Sequence, residues 1–191
     1  LAQINPTVGA LSGNARKITG VIHKYSKLCD LIIFPEMCLT GYPPQDLLLD
    51  MTFIEQTDEA LINISAEVQE TPIILGTIRK DGDNLFNTVA VLQNGEVIAF
   101  RDKTHLPTYD VFDENRYFAS ADSREPVEIN IHGKPIKLGI EICEDLWDEY
   151  YETKVSQELI EKGAKIIINI SASPFHVNKL DERLGIIKDI S

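Results

Sequence analysis

The chain is short of basic residues, short of cysteine, and without any long apolar run. Eighteen Lys and Arg stand against thirty Asp and Glu, a formal charge of −12 at pH 7. A field of that sign repels polyphosphates, so nucleic acid and anionic membrane surfaces are not expected partners. The longest aliphatic stretches, Ile166–Ile170 and 30–34, fall far below the roughly 20 residues that cross a bilayer, and no membrane span is expected. Leu1 opens directly into an apolar pattern with no basic region or cleavage site, so no secretory leader is expected. The three cysteines, Cys29, Cys38 and Cys143, are odd in number and lack CxxC spacing, which predicts free thiols in a reducing cytoplasm. His23, His105, His132 and His176 form no HxxxH pair and have no cysteine at ligand spacing, so no metal site is expected. Internal repeats, low-complexity tracts and linkers are absent as well.

What remains is a globular composition, 43% hydrophobic and 25% charged, organised as alternating short elements. Residues 1–5 read as a short buried strand. Ile18, Val21, Ile22, Tyr25 and Leu28 recur at helical spacing behind polar Ser12 and Asn14. Residues 30–34 form an apolar strand ending at Pro35-Glu36, and a loop with Gly41, Pro43 and Pro44 follows. Phe53, Thr57, Ala60, Leu61, Ile64 and Val68 give a second helical face, and 71–79 another strand closed by a turn at 81–84. Residues 88–93 and 97–101 flank Asn94-Gly95, a dipeptide that tolerates positive φ at both positions and so predicts a tight antiparallel hairpin. A second hairpin, 127–131 with 136–142, turns at His132-Gly133-Lys134. A helix bearing Val155, Leu159 and Ile160, a strand over 165–170 and a last helix over 180–190 complete the chain. Strands interleaved with helices predict one α/β domain over 1–191 with helices on both faces. Between the hairpins, 104–124 runs for about twenty residues without periodicity, longer than a connection needs, and suggests function. Its aromatic cluster, 109–118, reads as the wall of a site; the acidic charge argues against base stacking. Cys29 and Cys38 read as packing residues.

Ligands in such folds collect beyond the carboxyl ends of strands, and three reactive side chains fall there. Glu36 follows Leu-Ile-Ile-Phe-Pro, Lys103 follows Val-Ile-Ala-Phe-Arg-Asp, and Cys143 follows Leu-Gly-Ile-Glu-Ile. A thiol near its ordinary pKa of about 8.5 needs a base or a cation to act as nucleophile. Glu36, within hydrogen-bonding reach, would take the proton and later hand it to a departing amine. Lys103, with backbone N–H groups after Cys143, would stabilise thiolate and oxyanion. Singly, each residue reads more readily as structure: a strand-end cysteine as a small buried hydrophobe, a strand-end Glu or Lys as a solvated charge. His105, beside Lys103, reads first as a satisfied histidine.

The flanking motifs go further. Phe34-Pro35-Glu36, Asp102-Lys103-Thr104-His105-Leu106-Pro107 and Gly139-Ile140-Glu141-Ile142-Cys143-Glu144-Asp145-Leu146-Trp147 together resemble the nitrilase superfamily of carbon–nitrogen hydrolases, whose triad is a Glu, a Lys and a Cys in this order. Within it, 39–48, 109–118 and Asn169-Ile170-Ser171-Ala172-Ser173-Pro174-Phe175 resemble the glutaminase domain of glutamine-dependent NAD synthetases. The resemblance implies a four-layer α-β-β-α sandwich ending before its last strands, and glutamine hydrolysis through a thioester on Cys143. It implies Glu114 as an additional glutamate holding the lysine, and Tyr109, Glu144, Ser173 and Lys179 as the grip on the amino-acid end of glutamine. It further implies a homo-oligomer and a synthetase domain in the same full-length polypeptide, which would use the ammonia, ATP and magnesium to amidate deamido-NAD. Neither a Ser-Gly-Gly loop nor GxxxxGK occurs here, so this chain itself should need no cofactor. A free-standing nitrilase-type amidase or carbamoylase, and a non-catalytic pairing domain, are the competing readings.

Overall fold

The computed structural model describes residues 1–174 and 176–190. Phe175, which closes the 169–175 motif, and Ser191 lie outside the described residues. In chain order the elements are α1 (Leu11–Tyr25), β1 (Ile32–Ile33), α2 (Met51–Ala66), β2 (Ile73–Asp81), β3 (Asn84–Gln93), β4 (Glu96–Asp102), β5 (Val127–Ile131), β6 (Lys134–Ile142), α3 (Val155–Glu161), β7 (Ile166–Ile170) and α4 (Lys179–Ile190).

Two sheets result. One has the order β1-β2-β3-β4, the other β5-β6-β7; β1 runs parallel to β2 and β7 parallel to β6, and all other neighbours are antiparallel. Alternation along the strands sorts side chains between two cores. Ile73, Leu75, Ala90 and Leu92 face the cluster that holds Ile18 and Ile22 of α1 and Phe53, Leu61 and Ile64 of α2. Ile74, Val89 and Val91 face the other way and meet Ile129, Leu138, Ile140, Ile142, Ile168 and Ile170 between the sheets. α3 lies on the far face of the second sheet, where a Cβ at Gly139 would come 3.1 Å from Cβ of both Leu159 and Ala164. The four-layer α-β-β-α sandwich is thus built by period-2 strands that bury both faces.

The turns follow their chemistry. Asn94-Gly95 (φ 54° and 84°) and His132-Gly133 (φ 51° and 77°) close two-residue hairpins in the left-handed region, which matches strand twist. α2 begins at Asp50, whose side chain accepts from Thr52 N at 2.9 Å, one of the helix-start donors left without an internal partner.

Three expectations need correction. Residues 1–5 form no strand: Leu1 is fully exposed, and a backbone bond from Ala2 N to Ile33 O (2.8 Å) is not extended into a ladder. β1 is shorter than 30–34, although Phe34 N still bonds Ile74 O. Leu28 and Cys29 are exposed, because α1 stops at Tyr25 and they sit in the turn beyond its buried face; Cys38, by contrast, is buried. Among the described residues no helix is long and apolar enough to cross a membrane, and no group of three or more His, Cys, Asp or Glu could hold a metal ion.

Candidate active site

The two sheets each bring half of the site. From the first come Glu36, beyond β1, and Lys103, beyond β4. Glu36 is set by a kink at Pro35–Met37, where Met37 has φ 45°. The kink lies directly on β2: a Cβ at Gly76 would fall 2.6 Å from Met37 N and 2.7 Å from Glu36 Cα, so only glycine permits this approach. Lys103 is fixed through its own backbone, its N–H donating to Asn87 O at 2.9 Å.

Lys103 Nζ lies 2.9 Å from Glu36 Oε1 and 2.8 Å from Glu114 Oε1, with Lys103 only 1% exposed and both carboxylates buried. Glu114 reaches this point from the short 3₁₀ turn Glu114–Arg116 inside the long 104–124 segment. Two carboxylates and one ammonium leave a buried net charge of −1, which is tolerable only when further donors satisfy the oxygens. Three do so: Asn87 Nδ2 donates to Glu36 Oε1 (2.8 Å) and Glu114 Oε2 (3.4 Å), Tyr42 Oη to Glu114 Oε1 (3.0 Å), and Ala172 N to Glu36 Oε2 (2.8 Å). Burial works against the Lys103 charge, but the two carboxylates outweigh it and hold its pKa above the ordinary lysine value. Glu114 is raised by burial and by Glu36, with Lys103 opposing. Tyr42 is raised by burial and by the same two carboxylates, so its phenol stays a donor.

From the second sheet comes Cys143, at the end of β6 and the start of a 3₁₀ turn, Cys143–Leu146. Its φ of 48° lies in the left-handed region, costly for a residue with a Cβ and typical of a side chain held out from a sharp turn. Burial pushes the thiol up to about 12; Glu36 adds to the rise and Lys103 opposes it. The thiol is therefore protonated at neutral pH and needs a base at the moment of attack. Its hydrogen bond is with Ser173 Oγ, 3.2 Å away; the resting geometry shows no hydrogen bond from it to Glu36, whose oxygens accept from Lys103, Asn87 and Ala172 N.

Cys143 opens into a cavity of about 850 Å³ whose lining includes Tyr109, Phe112, Glu144, Trp147, Ser173 and Lys179. All four residues expected to grip an amino-acid end thus share one cavity with the thiol. Glu144 is gripped at both oxygens, by Tyr109 Oη (2.8 Å) and Tyr151 Oη (3.1 Å). Lys179 Nζ sits 3.7 Å above the Trp147 ring, a cation–π contact. His105 is not in the constellation: its ring stacks on Tyr151 at 3.8 Å and its Nε2 pairs with Thr153 O at 3.1 Å. Asn87, Tyr42 and Tyr151 belong to the site but were not assigned from sequence. For Asn87 the available signal was a polar residue inside the apolar run of β3, which does not say which face it takes.

Residues 1–187 match the carbon–nitrogen hydrolase family. A glutamine-dependent NAD(+) synthetase of Aquifex aeolicus is 39% identical over 98% of this chain, which spans 32% of that protein. A solved structure of glutamine-dependent NAD+ synthetase from Acinetobacter baumannii superposes with a TM-score of 0.88 at 29% identity, covering 100% of this chain and 35% of that one. An amidase from Nesterenkonia sp. AN1 superposes with a TM-score of 0.75 at 17% identity over 93% of this chain and 68% of its own, a likeness of fold. The chain spans about a third of the length of the synthetases it matches.

Proposed function

The chain belongs to the carbon–nitrogen hydrolase family, and from that premise we propose that residues 1–191 are one nitrilase-type domain that hydrolyses glutamine to glutamate and ammonia for an NAD synthetase. The observation that carries this reading is the Lys103 ammonium clamped between Glu36 and Glu114 beside a protonated thiol on a strained turn.

Cys143 Sγ attacks the side-chain amide carbon while Glu36 receives the thiol proton. Glu36 Oε2 accepts a single bond at rest, from Ala172 N, so it keeps an acceptor site for the proton, and active-site hydrogen bonds commonly tighten or shift when substrate enters. Two of the three Lys103 Nζ hydrogens are committed to carboxylates, and the third faces the negative charge that develops on the carbonyl oxygen. Collapse of the tetrahedral intermediate breaks the C–N bond; Glu36 returns its proton to the nitrogen and ammonia leaves. A γ-glutamyl thioester remains on Cys143. Water, deprotonated by Glu36, adds to the thioester carbon, the C–S bond breaks, and the thiolate recovers the proton as glutamate departs. Glu114 keeps Lys103 in place through both halves. The Glu144 carboxylate, fixed by Tyr109 and Tyr151, takes the α-ammonium of glutamine, and Lys179, swinging off Trp147, takes the α-carboxylate. Ser173 holds the resting thiol.

None of these steps is routed through a metal or nucleotide; ATP and magnesium serve the synthetase domain that the relatives' greater length accommodates. We place the full protein in the cytoplasm as a homo-oligomer. The test is turnover by the intact protein: glutamate and ammonia released from glutamine support the reading, whereas hydrolysis of carbamoyl amines or nitriles with glutamine untouched replaces it with the amidase alternative.

A further inference from the structure

Because Lys103 and Cys143 arrive from different sheets, their spacing depends on whatever ties the two halves together. Ala172 N on Glu36 is one tie. Another is a carboxylate with no part in the chemistry above. Asp145 Oδ1 accepts from Thr104 N at 3.1 Å and His105 N at 2.8 Å, and Oδ2 accepts from Ile142 N at 3.0 Å. Thr104 is the residue after Lys103, and Ile142 the residue before Cys143. One side chain thus grips the backbone next in sequence to Lys103 and next in sequence to Cys143. It is 1% exposed, and each N–H it satisfies would otherwise be a buried donor without a partner. From these contacts we infer that Asp145 is the positioning residue that sets the distance between Lys103 and Cys143, acting through the backbone and touching no substrate.

The geometry makes the inference specific. A shared carboxylate can serve three N–H groups because both of its oxygens accept. An asparagine offers one accepting oxygen and one donating nitrogen, so it must abandon either Ile142 or the Thr104–His105 pair. Either way the Lys103 loop and the Cys143 turn are released from each other. The inference rests on the reading of Cys143 as nucleophile beside Lys103 but not on glutamine as substrate.

The test is the rate at which iodoacetamide alkylates Cys143 in the intact protein, read by mass spectrometry against exposed Cys29 as internal reference, over pH 8 to 10. Three roles for Asp145 differ in sign. If it positions Lys103, then Asp145→Asn lets the cation drift from the sulfur, and Cys143 alkylation slows by about tenfold or more, the scale of one lost buried hydrogen bond. If it acted only by its charge, which lies close enough to feel Lys103, removing that charge would strengthen the lysine's effect on the thiolate and alkylation would quicken. A merely structural role would lower the melting temperature and leave the Cys143-to-Cys29 ratio unchanged in the folded protein. The second variant is Asp145→Ser, whose single oxygen ends one bond short of the accepting carboxylate oxygens and so cannot hold both segments at once. It should slow alkylation in the same way. A slowed ratio in either folded variant supports the assignment; an unchanged or quickened ratio overturns it. Loss of the glutamine reading would appear separately, as a wild-type protein that alkylates normally yet leaves glutamine intact.

Discussion

Replacing Lys103 by methionine removes the cation held between two buried carboxylates while leaving an unbranched apolar chain, one heavy atom shorter, in its place. Glu36 and Glu114 then face each other without the ammonium that separates them by bonds of 2.9 and 2.8 Å. The penalty has a ceiling, because a carboxylate that cannot be tolerated takes up a proton. Lifting a glutamate from its usual value of about 4.3 to above 7 costs about 1.36 kcal/mol per pH unit, or about 3.7 kcal/mol at pH 7. A single proton shared by the pair answers most of the repulsion, so Lys103→Met should lose about 3–4 kcal/mol of stability at neutral pH. The sign of the pH dependence follows. The folded variant holds a proton that its unfolded chain releases above pH 4.3, so the deficit grows with pH up to the raised pKa and shrinks on acidification, to about 1 kcal/mol at pH 5. Urea denaturation of wild type and variant from pH 5 to 8, followed by circular dichroism, measures this directly. A deficit of equal size at pH 5 and pH 8 would refute the electrostatic reasoning and assign the loss to packing.

Three further outcomes are expected. With its thiol pushed up to about 12, Cys143 should react with iodoacetamide at pH 8 at least about tenfold more slowly than an ordinary thiol of pKa about 8.5, its smaller thiolate fraction outweighing its greater nucleophilicity, and Glu36→Gln, by deleting the carboxylate that helps raise it, should speed alkylation while abolishing hydrolysis; both are read by mass spectrometry and an ammonia assay. Gly76→Ala should destabilise by at least about 1–3 kcal/mol, since its Cβ meets backbone at the Glu36 kink, and kcat should fall with the denaturation midpoint. Asn87→Ala, which takes a shared donor from Glu36 and Glu114, should lower kcat by about tenfold or more with little change in KM, measured by steady-state ammonia release.

The parts of this structure legible in sequence were those governed by local rules. The Asn94-Gly95 hairpin follows from φ > 0 at both positions, and the strand-end placement of Glu36, Lys103 and Cys143 follows from where apolar runs stop. The motifs around them carried the fold family. What escaped was set by the meeting of distant segments. Nothing local tells that Asn87, one polar residue in an apolar strand, turns toward two glutamates that are 51 and 27 positions away in sequence. The thiol's bond to Ser173 could not be foreseen for the same reason. Residues 1–5 show the converse error: an apolar start suggested a buried strand, yet alternation cannot supply a neighbour to pair with beyond one bond. Cys29 was misjudged because its burial depended on where α1 ended, a boundary that propensity fixes poorly.

The most direct measurement is NAD formation by the intact protein carrying Cys143→Ala, supplied with either glutamine or free ammonia as nitrogen donor. The account predicts that glutamine-driven formation disappears, together with glutamate release, while ammonia-driven formation persists, because only the first passes through the Cys143 sulfur. Retention of glutamine-dependent formation by Cys143→Ala would contradict it.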